Sequence, residues 1–68
     1  MMGFKTYELN QSGGGKVCIL LDEVISFQEI PTQGGMALLV HMSGGQTHPL
    51  SGVTFDEFNR NFPFQQAK

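Results

Sequence analysis

A chain of 68 residues holds one domain, and at that size folding buries only about 60% of the unfolded surface. Four basic against six acidic residues leave a formal net charge of −2, without the basic stripe that phosphate neutralisation requires. A single cysteine, Cys18, excludes an intramolecular disulfide, and with only His41 and His48 beside it a compact zinc site is not expected.

A core this small rarely supplies more than ~3–5 kcal/mol. With disulfide and metal set aside, self-association or a larger partner is the expected supplement, so a homo-oligomer is expected. No apolar stretch preceded by positive charge marks a signal peptide, and no run approaches the ~18 apolar residues of a membrane span. A cytoplasmic protein is the expectation.

Residues 3 to 9 (GFKTYEL) alternate Phe4, Thr6 and Glu8 against Lys5, Tyr7 and Leu9, and this predicts a first strand. The glycine-rich stretch up to Gly15 is a flexible loop. Residues 16 to 21 (KVCILL) are apolar enough to predict a strand buried on both faces, with Cys18 in the core. Asp22-Glu23 then makes a turn. Residues 24 to 30 (VISFQEI) form a third strand closed by Pro31, and Thr32-Gln33-Gly34-Gly35 is a four-residue hairpin loop.

Residues 36 to 42 (MALLVHM) are a short, nearly continuous apolar run, the signature of a buried central strand. Gly44-Gly45 predicts a two-residue turn, because both central residues of such a turn can need positive φ. Residues 46 to 50 are the paired edge strand, part of whose edge Pro49 protects. This register sets His41 opposite His48.

Past the last strand the period changes. Thr54-Phe55-Asp56-Glu57 is a capping box, with Val53 and Phe58 at the positions of a hydrophobic staple. Phe55, Phe58 and Phe62 share one face of a short helix over residues 55 to 62, which Pro63 stops. Too short to persist alone, it must lay its phenylalanines on the sheet. The expected architecture is mainly β: an antiparallel meander of five strands with one C-terminal helix, β-β-β-β-β-α. Residues 64 to 68 are expected to be a frayed tail.

The stretch from Gly15 to Phe62 resembles the flagellar FlbD family and, more distantly, the β-repeat and terminal helix of LytTR-type regulatory domains. Val24-Ile25, Glu29-Ile30, Leu38-Leu39-Val40, Gly44-Gly45 and the segment Thr54-Phe55-Asp56-Glu57-Phe58 carry the resemblance. These are mostly core and turn positions, so what it implies is a shape. LytTR domains bind DNA, which implies nucleic-acid binding as one alternative. The loops of this chain, however, carry almost no basic residues.

Four groups of residues are candidates for chemistry. His41 and His48, if opposed, could hold a metal or respond together to pH. Yet no third protein ligand is nominated, so no metal site is expected. Gly13-Gly14-Gly15-Lys16 could cradle an anion. It lacks the Walker pattern and a following helix, and a hairpin loop explains it as well. The pairs Asp22-Glu23 and Asp56-Glu57 could do acid–base work, but turn and helix-start roles account for them. Finally, four methionines and six phenylalanines are either core or an adaptable apolar surface for a partner.

No nucleophile–base pair is visible, so neither an enzyme nor a cofactor is expected. The leading expectation is a small non-enzymatic regulatory or inhibitory module acting by protein–protein binding, of a size that would suit an accessory or phage-encoded protein. The alternative is a nucleotide or anion binder using Gly13, Gly14, Gly15, Lys16, His41 and His48 at a subunit interface.

Overall fold

The computed structural model describes residues 3–62. Five strands, β1 (Phe4–Leu9), β2 (Lys16–Leu20), β3 (Val24–Thr32), β4 (Gly35–Met42) and β5 (Thr47–Ser51), form one antiparallel sheet, followed by the helix α1 (Phe55–Asn59). This is the small, mainly β architecture that the sequence predicts. The strand order, β2-β1-β5-β4-β3, is not that of a simple meander. β2 and β3, consecutive in the chain, are the two edges, while β5 pairs with β1 through Glu8–Ser51 and Leu9–Leu50. The last strand is therefore central, and the apolar β4 lies next to an edge.

Pro49 fits this interior strand because of its direction. Its carbonyl faces β1 and accepts the Asn10 N–H at 2.8 Å. In an extended residue the nitrogen faces the same way, so the missing donor falls where β1 ends and the β4–β5 ladder is untouched.

A 3₁₀ turn of only three residues, Leu21–Glu23, joins the two edges of the sheet. It rises about 2.0 Å per residue, whereas five strands laid flat at ~4.8 Å spacing would hold their edges ~19 Å apart. The sheet must curl. Two bonds pin the turn across the gap: the Leu21 N–H donates to the Gly3 carbonyl at 2.9 Å, and the Ser43 N–H donates to the Glu23 carbonyl at 2.7 Å. The Ser43 hydroxyl adds a bond to the Glu23 carboxylate.

Directly opposed residues share a face, so the pairings assign the strand positions to two faces. Leu38 opposes Leu50, Leu50 opposes Leu9, Tyr7 opposes Val17 and Lys5 opposes Ile19. On this concave side Ile19, Leu21, Leu38, Val40, Met42, Leu50, Phe58 and Phe62 form one buried cluster. β2 is accordingly buried on one face only, with Val17 and Ile19 inward and Lys16, Cys18 and Leu20 exposed. Cys18 is not in the core. An apolar run of five reads as two-sided, but an edge strand of a curled sheet has no neighbour to cover its convex face.

Two loops also differ from expectation. β3 continues through Pro31 to Thr32, so the β3–β4 loop is the pair Gln33-Gly34. The β4–β5 loop is longer than predicted, comprising Ser43, Gly44 and Gly45. The Met42 N–H donates to the Gln46 carbonyl at 2.8 Å, and the Gly45 N–H donates to the Met42 carbonyl at 3.0 Å. Gly45 takes φ +91, the left-handed residue that closes a three-residue hairpin with a bulge.

The helix starts as its chemistry dictates. The Glu57 N–H donates to Thr54 Oγ1 at 3.1 Å and the Thr54 N–H donates to the Glu57 carboxylate at 3.0 Å. Asp56 and Glu57 occupy its first turn, where negative charge is favoured. It ends at Asn59, earlier than predicted, and a turn carries Phe62 back to the core. Phe27 on β3 is the hub: its ring lies 4.9 Å from Phe55, 4.8 Å from Phe58 and 5.6 Å from Phe62. Asn61 Nδ2 donates to the Phe58 carbonyl at 3.0 Å and to the Tyr7 hydroxyl at 3.4 Å, tying the end of the helical segment to β1. The expected stop at Pro63 and the tail at 64–68 lie outside the described residues.

Candidate functional site

The histidine pair does not form. With a three-residue loop the register moves by one, so His41 opposes Thr47 and His48 opposes Val40. His48 thus shares the concave side with Val40, and His41 lies on the convex side. There Thr47 Oγ1 is 3.4 Å from His41 Nδ1. A one-residue change of register turns a side chain to the other face, and the pair is lost. Among the described residues no three or more His, Cys, Asp or Glu side chains are grouped so as to hold a metal ion.

The glycine loop closes on itself. Gly13, Gly14 and Gly15 all take positive φ, at +87, +69 and +114, which is why three glycines stand together there. The Gly14 N–H donates to the Gln11 carbonyl at 2.9 Å, and Gln11 Nε2 donates back to the Gly14 carbonyl at 3.1 Å. The Gly15 carbonyl accepts from Leu9 at 2.9 Å. The middle amide of the proposed cradle is already bonded, and Lys16 belongs to β2. Turn formation accounts for the loop.

What the fold does assemble is apolar. Phe4 and Leu20 oppose each other across β1 and β2 on the convex face, 66% and 52% exposed. They border an open cleft of about 220 Å³ lined by Gly3, Phe4, Leu20, Asp22 and Glu23. Cross-strand neighbours of this kind normally face a core. Here they face outward, beside the acidic turn. The sequence pattern could not find this pair, because Phe4 alternates correctly in its strand and only the curl decides which face is inside.

Among the described residues two further large apolar side chains are exposed singly. Ile25 (66%) sits in the irregularity between Val24 and Ser26, and Met36 (59%) lies near the far end of β4. A second open cleft of about 260 Å³ lies between the start of β3 and the end of α1, lined by Val24, Ile25, Ser26, Phe27, Asn59 and Phe62. No described helix is long and apolar enough to cross a membrane.

Fold and surface together define a small, mainly β protein with one short helix and an apolar patch at the turn end of its sheet. Comparison of the chain with family models, with curated proteins and with solved structures finds no match.

Proposed function

We propose that the protein is a small non-enzymatic binding module that acts on another protein, regulatory or inhibitory in effect, and that it works as a homo-oligomer. The observation that supports this is the paired exposure of Phe4 and Leu20 on one rim. A large apolar side chain left in water forgoes roughly 1.5–3 kcal/mol relative to burial. Two of them set side by side next to a cleft give a partner an apolar contact, and aromatic side chains such as Phe4 are enriched in the buried core of protein interfaces. The acidic Asp22 and Glu23 at the border would favour a partner with basic residues around an apolar contact.

The test is comparative capture with the immobilised protein. Phe4→Ser and Leu20→Ser should each abolish retention of a partner that wild type and Met36→Ser both hold, with all three variants keeping the wild-type circular dichroism spectrum. Retention unchanged by both patch variants would overturn this reading.

A further inference from the structure

Among the described residues the sheet ends at two edges, β2 and β3, and they are unequal. On β4, Met42 exchanges hydrogen bonds toward β5, as therefore do Val40 and Leu38, so the alternate residues His41, Leu39 and Ala37 bond to β3. Their partners Ser26, Gln28 and Ile30 face inward, which leaves Phe27, Glu29 and Pro31 on the open side of β3. Pro31 has no donor to offer, and the register shifts between Val24 and Ser26. Both features blunt an edge.

β2 has neither. The bonds from Leu9 to Gly15 and from Leu21 to Gly3 set the phase of its ladder with β1. Residues 15, 17, 19 and 21 bond inward, and the backbone groups of Lys16, Cys18 and Leu20 point away from the sheet. This five-residue edge carries no proline, no irregularity and one charge, Lys16.

We propose that the β2 edge pairs with the β2 edge of a second copy of the chain, antiparallel about a two-fold axis at Cys18. The proposal rests on the homo-oligomer of the reading above and assigns it to one strand. In this register Lys16 meets the second copy's Leu20, Cys18 meets Cys18, and Leu20 meets Lys16. Every outward N–H and C=O of Lys16, Cys18 and Leu20 on both copies then finds a partner. A shift of one residue would bring inward-bonded residues to the seam, and a shift of two would leave one residue of each copy unpaired. The edge is its own complement.

Charge selects the same arrangement. Parallel pairing would set the two Lys16 ammonium groups side by side. The antiparallel register separates them to opposite ends of the seam, each beside the second copy's turn with Asp22 and Glu23. The lysine stem also flanks Leu20 of the other copy on the side away from Phe4, so the Phe4–Leu20 patch keeps its outward face.

The experiment is the solution mass by light scattering over a concentration series, for wild type, Cys18→Ala, Cys18→Pro and Cys18→Asp. Proline at 18 removes a donor that faces away from β1, so it breaks the seam and spares the β1–β2 ladder. Aspartate sets two carboxylates against each other on the axis and serves if the proline variant fails to fold. Wild type and Cys18→Ala should show twice the 7.5 kDa chain mass. Cys18→Pro should be monomeric, and Cys18→Asp should associate at least about tenfold more weakly, or ~1.4 kcal/mol. A dimer unmoved by both seam variants would refute the β2 edge while leaving self-association standing. A wild-type monomer at every concentration would refute both, without touching capture through Phe4 and Leu20.

Discussion

Phe58 offers the sharpest test of how this fold is held. It is fully buried at 0% exposure, and its ring lies 5.5 Å from Tyr7, 4.8 Å from Phe27 and 5.5 Å from Phe62. Through these contacts it joins β1, β3 and the segment after the helix. Truncation to alanine would cost about 3–5 kcal/mol, comparable to all the stability expected of so small a core. That variant should therefore simply be unfolded. Phe58→Leu is more informative, since it keeps most of the apolar volume but removes three ring pairs. Each such pair contributes about 0.5–1.5 kcal/mol beyond area burial. Allowing for leucine's own contacts, a net loss of about 2 kcal/mol is expected, or ~8–16 °C in Tm for a chain of this size. Phe55→Leu is the control: Phe55 is half-buried and, among the described residues, has a ring contact with Phe27 alone, at 4.9 Å, so its loss should stay below ~1 kcal/mol. The assay is thermal and urea unfolding followed by circular dichroism. Equal losses for the two variants, or a Phe58→Leu change under ~0.5 kcal/mol, would show that the aromatic cluster does not hold the helix to the sheet.

Other substitutions probe single devices. Thr54→Ala should cost about 1 kcal/mol by removing the cap acceptor of the Glu57 amide, and an unchanged urea midpoint would count against the capping box. Gly45→Ala should cost about 1–2 kcal/mol, because φ is +91 there although an added Cβ meets nothing within 4 Å. Gly44→Ala should be nearly neutral, so similar midpoints for the two would disprove the three-residue loop. Excess zinc chloride should leave Tm unchanged, since His41 and His48 occupy opposite faces. A rise of several degrees that either His→Ala variant abolishes would contradict that register.

How much of this was legible beforehand depended on the range of the interaction involved. The capping box, the one-sided Phe55-Phe58-Phe62 pattern and the turn at Asp22-Glu23 all involve groups within a few residues of one another. Each was readable because the donors and acceptors concerned belong to neighbouring backbone. The candidate histidine pair failed on one residue of loop length. Two glycines permit either a two-residue turn or a three-residue loop with one left-handed residue, and the choice inverts every face beyond it. Cys18 lies outside the core for a related reason. Its apolar neighbours Val17 and Ile19 do face the core, but whether the opposite face is covered depends on strands distant in the chain.

The sequence by itself determined five strands, one capped helix and the aromatic face that binds the helix to the sheet, since these follow from side-chain chemistry at short spacing. Only the tertiary structure decided the order of the strands. The pairing of Glu8 with Ser51 joins the two ends of the sheet-forming segment, and no local preference encodes it. That closure puts β5 at the centre, leaves β2 and β3 as edges and forces the curl that a three-residue turn can bridge. From it follow the inside and outside of the sheet, and with them the exposure of Phe4, Cys18 and Leu20 on which binding is proposed to rest.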